Sequence, residues 1–425
     1  VNVLSLIPGL TLDPAVKQRA LSAVPSASLA NNFDVGNSTA ARLLNTAGYR
    51  FLQSDKNDRN QYAFRFDYQA TESHRFEFIH QRFKETDDRT DLDTINLRPK
   101  VYTDSDTKLL VGAWRWTASP KLNNELRIGG NLAPVAFNSS ENYSGLFYGN
   151  LPVTTREVTF MPQGRDTRTY QYIDNASYVT GNHSMQFGGS LQQIRVNPYN
   201  LAGIYPTLNF GFSASAPAAQ QLVAANFPNA SISATDLAAA NALRSVLGGV
   251  VSNISQTFQV KDKTSGYVPG IPNDRNFTFD NWSFYGQDNW RIKPNLSIEY
   301  GLRYVISPPI GSALRNTIAF VPQLYDPAKG PRFNADGSLV PGVGDYAGGF
   351  YVNGLSLPGD GWPAGAKGRV LAASNPEFDR LFRGVPPAVY TARYNNFGPR
   401  FSFAWDPSGK GNWSIRGGEI GRAHV

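Results

Sequence analysis

The chain contains segments in which apolar and polar residues alternate, with aromatic side chains on one side and charges on the other. In residues 62–70, aromatic residues occupy every second position from Tyr62 to Tyr68, and Arg65 and Asp67 lie between them. A period of two is that of a β-strand whose faces meet different surroundings. Ten segments carry this pattern and predict ten strands: residues 62–70, 75–83, 108–117, 125–132, 167–179, 184–196, 278–292, 296–306, 397–405 and 412–418.

The connections between the predicted strands alternate between short and long. Short turns close the five consecutive strand pairs, whereas the intervening connections cover residues 85–107, 133–166, 197–277 and 307–396. Short turns at one end and long loops at the other are typical of an outer-membrane barrel, and a soluble β-sandwich would be spaced more evenly. The pattern predicts an all-β fold, an antiparallel transmembrane β-barrel over residues 60–418, with residues 1–59 as a further extracellular loop.

Three stretches outside the strands have helical spacing. Residues 218–225 and 235–247 are rich in Ala and Leu, Asp236 lies near the start of the second stretch, and Gly248 follows its end. These signals predict two short surface helices in the third long loop. Residues 14–24 carry a third, shorter helical pattern.

Composition narrows the possible functions. The 425 residues include no cysteine, which excludes a thiolate metal site, and no run of 18 apolar residues that would predict a transmembrane helix. The net charge is +7, but the basic residues are scattered, so no nucleic-acid partner is predicted. His74, His80 and His183 have no metal-binding spacing, and no catalytic motif is present, so neither a cofactor nor an enzyme is predicted.

Acidic residues of the first long loop, Asp87, Asp88, Asp91 and Asp93, supply oxygen ligands that a cation such as calcium accepts. A solvated polar loop is the simpler interpretation of these residues, so no metal site is predicted there.

Two groups of side chains are candidate functional residues in such a barrel. Tryptophan prefers the headgroup level of a bilayer, and Trp290, Trp405 and Trp413 lie beside short turns, which predicts a girdle at the periplasmic membrane interface. Charged residues opposite the aromatic side would face the lumen and pair with one another. They are Arg65, Asp67, Glu77, Arg115, Glu125, Arg127, Glu299, Arg303, Arg400 and Arg416.

The two ends of the sequence carry their own expectations. Val1 is not a start methionine and no signal peptide follows it, so we expect the sequence to begin within a longer protein. With residues 1–59 as an extracellular loop, the first strand runs from outside to inside, so at least one upstream strand is expected. Residues 419–425 read EIGRAHV, and one back-translation of them contains the start of a common sequencing adapter. We therefore expect residues 419–425 to be read-through and leave His424 out of the predicted fold.

Three stretches resemble a known family. They are residues 284–304 (FYGQDNWRIKPNLSIEYGLRY), residues 395–418 (NNFGPRFSFAWDPSGKGNWSIRGG) and residues 7–24 (IPGLTLDPAVKQRALSAV). They resemble TonB-dependent receptors, in particular the Oar-like group of Acidobacteria, whose members contain a carboxypeptidase-regulatory-like domain. The resemblance implies a plugged barrel of about 22 strands, of which ten are encoded here. It also implies outer-membrane uptake of a ligand bound by extracellular loops, with the TonB complex acting through a plug segment missing from this sequence.

Other functions remain open at this point. A passive porin-like channel would have shorter loops and fewer strands, and plug-coding DNA upstream would argue against it. A secreted β-rich adhesin or glycan-binding protein would be soluble without detergent and would have no lipid-facing band. An outer-membrane phospholipase would need a catalytic constellation. Because loops determine the ligand, it could be a siderophore, a glycan or a peptide.

Overall fold

The computed structural model describes residues 2–33, 47–143, 145–261, 265–312, 318–347, 350–362, 364–369, 371–386 and 394–421. Ten long strands form one antiparallel sheet in which each strand pairs with its neighbours in the chain. We call this sheet the wall and number its strands in order: β1 Asn57–Gln69, β2 His74–Asp88, β3 Val101–Ser119, β4 Leu122–Ser139, β5 Gln163–Thr180, β6 His183–Asn200, β7 Phe277–Lys293, β8 Leu296–Ile306, β9 Asn396–Trp405 and β10 Ile415–Ile420.

The ten predicted strands are all present, and most are longer than predicted. Strands β3 to β6 have 18 or 19 residues each, about twice the 9–11 residues that a tilted strand needs to cross a bilayer. Most of the extra residues lie at the long-loop ends, where the aromatic-and-charged alternation of the strand centres is lost: the extension of β5 reads QGRD, whereas that of β4 contains Pro134, Val135 and Phe137. The long connections therefore shorten to residues 89–100, 140–162, 201–276 and 307–395.

The register carries each face of the wall through all ten strands. Tyr68 lies opposite Phe76, Trp290 opposite both His183 and Ile298, and Leu296 opposite Trp405. Directly paired residues of antiparallel strands point to the same side of the sheet. The aromatic residues of neighbouring strands therefore lie on the same face of the sheet. The wall has two chemically distinct faces.

Short strands accompany the wall. Asn273–Asp274 pairs with β6 and Gly311–Ser312 with β7. The long loops contain a three-stranded sheet of Phe147–Gly149, Thr207–Phe210 and Val251–Ser255, and two-stranded pairs Gln259–Val260 with Tyr267–Val268, Ala319–Phe320 with Leu355–Ser356, and Tyr346–Ala347 with Phe350–Tyr351.

The described helices are short and lie outside the wall. We number the α-helices α1 Pro14–Arg19, α2 Ala234–Leu247 and α3 Leu371–Ser374. None of the described helices is long and apolar enough to cross a membrane. Short 3-10 helices cover Leu21–Ala23, Ala27–Leu29, Ala218–Gln220, Ala224–Asn226, Pro228–Ala230, Pro322–Leu324, Pro327–Lys329 and Pro376–Leu381.

One predicted loop helix is present and the other is not. Helix α2 begins after Ser233, whose side chain accepts a hydrogen bond from the Asp236 amide at 3.1 Å, as a helix N-cap does. The prediction of a helix over residues 218–225 was wrong, because only two 3-10 turns form there. The Asn241 side chain bonds both backbone groups of Leu222 at 2.8 and 3.0 Å, which uses groups that a helix would need.

A compact assembly, which we call the outer layer, forms from residues 2–30, 145–162 and 201–256 at the long-loop end of the wall. Val16 and Ala20 of the first segment pack against Phe210 and Val246 of the third, and all four are buried. A second cluster joins Phe147, Met161 and Ile204. Residues far apart in the chain thus form a small hydrophobic core outside the wall.

Arg244 of α2 links residues 2–30 to the rest of the outer layer. Its side chain is fully buried and donates hydrogen bonds to the carbonyls of Val3, Leu4, Ile7 and Gln220 at 2.7–3.2 Å. Burial lowers the pKa of the guanidinium from its usual value. Backbone carbonyls take the place of a carboxylate partner, so the four hydrogen bonds compensate for the loss of water around the charge.

Candidate functional site: the two faces of the wall

One face of the wall, which we call the aromatic face, presents large apolar side chains outward. Phe284 is 46% exposed and Leu302 is 49% exposed, although both lie within strands of a large sheet. Exposed apolar surface of this extent marks contact with another apolar phase or partner. Its exposed aromatic residues are Tyr62, Phe64, Phe66, Tyr68, Phe76, Phe78, Trp116, Tyr170, Tyr172, Phe187, Trp282, Phe284, Trp290, Tyr300, Phe397, Phe401 and Trp405.

The opposite face, which we call the polar face, contains every predicted lumen-facing charge. The strand registers place these ten residues on one side of the sheet, on seven of its ten strands: β1 to β4 and β8 to β10. They are Arg65, Asp67, Glu77, Arg115, Glu125, Arg127, Glu299, Arg303, Arg400 and Arg416.

Ion pairs join the polar-face charges of β1 to β4 into a continuous row. Glu77 is the centre of the row, since its carboxylate lies 3.0 Å from Arg65 and 3.3 Å from Arg115, and its side chain is only 5% exposed. Arg115 also contacts Glu125 at 2.6 Å, and Glu125 pairs with Arg127. Shared partners hold these long side chains in place across four strands, which an isolated exposed pair does not achieve.

The first strand extends this row at its edge. Asp67 lies 2.7 Å from Arg65 and 2.9 Å from Arg75, so that two guanidinium groups share one carboxylate. Arg75 was not among the predicted lumen-facing residues, although it lies on the same face.

The polar-face charges of β8 to β10, at the far edge of the wall, are paired more loosely. Arg400 lies 3.7 Å from Glu299 and donates a hydrogen bond to Gln287 at 3.0 Å. Arg303 and Arg416 donate to the hydroxyls of Ser283 and Ser414, at 3.1 and 3.0 Å. The structure therefore brings six of the ten predicted charges into one network, and the other four lie outside it, where only Glu299 and Arg400 contact each other.

Between these groups the polar face is uncharged. From Thr167 to Val179 on β5, Ser184 to Val196 on β6 and Phe277 to Asn289 on β7, no residue of this face is acidic or basic. Carboxamides are frequent there, and two contacts are Tyr285 donating to Asn175 at 2.9 Å and Gln287 donating to Gln186 at 3.0 Å. We call this region the amide strip: Gln171, Asn175, Gln186, Gln192, Asn281, Gln287 and Asn289.

The predicted girdle tryptophans lie at the short-turn end of the aromatic face. The Trp290 ring stacks on His183 at a centroid distance of 5.3 Å, beside the turn between β5 and β6. Trp405 is the last residue of β9 and is 43% exposed. Trp413 is 66% exposed and lies in the turn before β10. The sequence had predicted that Trp413 lies within the strand.

A cluster of three polar groups on the aromatic face, around Asp288, was not predicted. Asp288 is 7% exposed, and its Oδ2 lies 2.6 Å from His183 Nδ1 and accepts a hydrogen bond from the Tyr300 hydroxyl at 3.0 Å. In the sequence, Asp288 only interrupts the aromatic alternation of β7. That interruption was the available signal, because a carboxylate on an apolar face requires polar partners on neighbouring strands.

Charges also occur on the aromatic face at its long-loop end, which we call the outer rim. Arg82 donates to Asp106 at 2.7 and 2.8 Å, so an ion pair holds the side chain that interrupts the alternation of β2. Lys108 lies 3.2 Å from the same carboxylate. Further along the rim, Arg168 pairs with Asp166, and Arg195 lies 2.6 Å from Asp280.

The acidic residues of the first long loop have internal partners. Asp91 contacts Arg89 at 2.6 Å, and this ion pair lowers the pKa of the Asp91 carboxyl. The buried Asp93 accepts hydrogen bonds from the backbone of Ile95, Asn96 and Lys100. Among the described residues, no group of three or more acidic or histidine side chains is arranged to hold a metal ion.

Comparison with known families agrees with this two-faced wall. A family model described as an outer membrane beta barrel domain matches residues 5–419. The chain belongs to this family. The wall is therefore part of a barrel of the outer membrane, with mostly antiparallel strands.

Solved outer-membrane proteins show a limited likeness to this barrel chain. The outer membrane transporter YddB from Escherichia coli has 9% identity and a TM-score of 0.40, over 85% of this chain and 33% of its own. The ferric-catecholate import receptor Fiu from E. coli in its closed form has 11% identity and a TM-score of 0.36, over 84% and 42%. The siderophore receptor PiuA from Acinetobacter baumannii has 8% identity and a TM-score of 0.31, over 84% and 41%.

This barrel chain thus spans about two fifths or less of the length of these structures. The comparison with curated proteins finds no match.

Proposed function

We propose that this chain forms the wall and the ligand-capturing outer layer of an outer-membrane transporter, and that it takes up its ligand in a TonB-dependent way. The observation that carries the proposal is the separation of the two faces, together with a folded layer above one end of the wall. The proposal places the aromatic face in hydrocarbon, the polar face toward the lumen, and Trp290, Trp405 and Trp413 at the periplasmic interface.

The outer layer supports a role in ligand capture. Its segments enclose their own hydrophobic clusters, with Val16 and Val246 at 2% and 1% exposure. A packed layer holds binding groups in defined positions, which lowers the entropy lost on binding a ligand. Passive channels have no need for such a structure at the pore entrance, so the layer favours selective uptake over a porin-like channel.

The TonB-dependent part of the proposal rests on sequence resemblance. Residues 284–304 and 395–418, which carry the likeness to the Oar-like TonB-dependent receptors, form β7 to β10 with their turns. The ion-pair row around Glu77 offers a charged surface to a plug inside the lumen. The residues of the chain suggest no catalytic role.

Cysteine labelling tests the assignment of the two faces, because the chain contains no native cysteine. In the complete protein, single cysteines replace Ser190 on the polar face of β6 and Leu191 beside it on the aromatic face. A water-soluble maleimide should label S190C after removal of any plug by urea, and a lipid-soluble maleimide should label L191C. Aqueous labelling of L191C in intact membranes would contradict the orientation.

Uptake experiments test the transport assignment. The complete gene is expressed in a Gram-negative host with and without TonB, and cells are supplied with pools of siderophores, oligosaccharides and peptides. Accumulation of one solute only in TonB-containing cells is expected. Accumulation that is equal in both hosts would instead indicate a passive channel, and a soluble product that accumulates nothing would indicate an adhesin.

A further inference from the structure

The outer half of the amide strip contains a row of three carboxamides that bond to no other described residue. Gln192 on β6 lies directly opposite Gln171 on β5 and Asn281 on β7. The three side chains therefore share the polar face, on adjacent strands about 4.8 Å apart. None of them has a hydrogen-bond partner among the residues that the structure describes. We call them the carboxamide row, and each member has N–H donors and a carbonyl acceptor left for a ligand.

The turn-side half of the amide strip differs, because its carboxamides already have partners. Gln287 donates a hydrogen bond to Gln186 at 3.0 Å, and Asn175 accepts one from the Tyr285 hydroxyl at 2.9 Å. Asn289, nearest the short turns, lies opposite an acidic residue of β8. Unused hydrogen-bonding groups away from any charge are thus concentrated in the carboxamide row.

The surroundings of the carboxamide row are uncharged on β5 to β7. On these described strands, neither the row itself nor the polar-face positions directly before and after it contain an acidic or basic residue. The charges that border it are engaged, since Arg127 on β4 pairs with Glu125 and Arg303 on β8 donates to Ser283 at 3.1 Å. A charged ligand on this row would lose water without gaining a counter-charge.

An apolar step adjoins the carboxamide row on its outer side. Two residues further from the short turns, Ile194 lies opposite Phe279 on the same face. At the β4 end of the row, Gly129 lies opposite Gln171 and has no side chain, so the row is not closed off there. A sugar has an edge of hydroxyl groups and a face of C–H groups, which complement the carboxamides and the apolar step respectively.

We propose that the carboxamide row binds a neutral oligosaccharide as it passes through the lumen. Each sugar hydroxyl both donates and accepts a hydrogen bond, and a carboxamide supplies both functions from one side chain. A peptide fits less well, because its charged termini need counter-charges that the row does not have. The inference rests on the proposed function, with the polar face toward the lumen, and adds to it the chemical class of the ligand.

Binding measurements on the complete protein in detergent test this inference without the need for TonB. The probes are fluorescent neutral oligosaccharides (glucans, xylans, mannans and galactans), uronic-acid oligosaccharides and a pool of peptides. At least one neutral oligosaccharide should bind more tightly than every acidic probe and every peptide. Its affinity should be the same in 0.5 M NaCl, because no ion pair is screened. Tighter binding of an acidic probe or a peptide would overturn the proposal, as would no binding of any neutral probe.

Two neighbouring residues of β6 provide matched variants. Q192A removes the central carboxamide of the row and should weaken binding of the neutral oligosaccharide about threefold to tenfold, the effect of one neutral hydrogen bond. Q193A removes the same group from the aromatic face and should leave the affinity unchanged. The triple variant Q171A/Q192A/N281A should weaken binding about thirtyfold or more. Urea unfolding verifies that the variants are folded, and equal affinities of folded Q192A and Q193A would overturn the proposal.

Failure of this inference is distinguishable from failure of the proposed function. Aqueous labelling of L191C in intact membranes would reject the orientation of the wall. Equal uptake with and without TonB would reject the energy coupling. Oligosaccharide binding that is unaffected in Q192A would reject the carboxamide row alone.

Discussion

The outer layer and the wall place their apolar side chains in opposite ways. In the outer layer, Phe210 and Val246 are enclosed by protein and are 4% and 1% exposed. In the wall, Phe284 and Leu302 point away from the protein and are 46% and 49% exposed. In the proposed orientation, this difference means that one chain satisfies the hydrophobic effect in two ways, by a protein core above the membrane and by contact with lipid within it.

The same truncation in the two regions should give the largest contrast. F210A leaves a cavity in the core of the outer layer and should destabilise that layer by about 3–5 kcal/mol. F284A loses only the transfer free energy of the side chain, about 1.5–3 kcal/mol, because lipid fills the space. Hydrogen exchange of α2 measures the first effect, and urea unfolding from vesicles measures the second.

Equal losses from the two truncations would contradict the comparison. An α2 that exchanges at the same rate in F284A as in the wild-type protein is the expected control, since Phe284 does not belong to the core of the layer.

A charge placed on each face should distinguish the faces themselves. F187R puts a guanidinium in the middle of the aromatic face of β6 and should cost about 2–4 kcal/mol, as expected at the bilayer midplane. Q186R, one residue away on the polar face, should cost less than about 1 kcal/mol. The measurement is the free energy of unfolding of the complete protein in vesicles, and a larger cost for Q186R would reverse the assignment.

Removing one carboxylate at a time from the polar face should show that the tight ion pairs contribute more to the free energy of unfolding than the loose ones. E77A leaves Arg65 and Arg115 without their shared partner and should cost about 1–2 kcal/mol, reduced because both arginines reach water. E299A removes a partner that is 3.7 Å from Arg400 and 36% exposed, so its cost should be below about 0.5 kcal/mol. If urea unfolding gives E299A the larger loss, the row around Glu77 is not the stronger network.

The smallest expected effect is a pH dependence confined to the outer layer. Burial raises the pKa of the Glu157 carboxyl, although Arg19 at 3.0 Å opposes this shift. A raised folded-state pKa contributes stability below the unfolded value of about 4.3, and this stability is lost as pH rises through the folded value. E157Q should remove this dependence, which amounts to less than about 1 kcal/mol.

Hydrogen exchange of α1 between pH 4 and pH 7 checks this expectation. D91N is the control, because the pair with Arg89 lowers the pKa of Asp91 and gives a contribution of opposite sign. Protection of α1 that rises with pH in the wild-type protein would contradict the assignment.

The wall could be predicted from sequence because its pattern is local. Alternation in residues 62–70 and 296–306 reports the two faces directly, and register then aligns neighbouring strands. The outer ends of β3 to β6 could not be predicted, since the alternation of apolar and charged residues does not continue there: polar residues follow one another at the end of β5, and Pro134 interrupts the end of β4. The Asp288 cluster was visible only as an interruption, because its partners His183 and Tyr300 lie on other strands.

The outer layer was less predictable for a related reason. Helical spacing in residues 235–247, Asp236 near the start and Gly248 after the end predicted helix α2 from the sequence. Docking of residues 2–30 on α2 depends on contacts across about 240 positions, such as Arg244 with Val3. No local pattern encodes such a contact, and Ala-rich residues 218–225 showed a helical spacing that the Asn241 side chain overrides.

The burial of Arg244 has a practical consequence for following this layer in living cells. Trypsin cleaves after arginine only where the chain can enter its active site, so the bond after Arg244 is protected while residues 2–30 stay docked. A cut at that bond therefore indicates that residues 2–30 have separated from Arg244. The rate at which trypsin, added outside intact bacteria, cuts this bond would then measure how often residues 2–30 leave the outer layer.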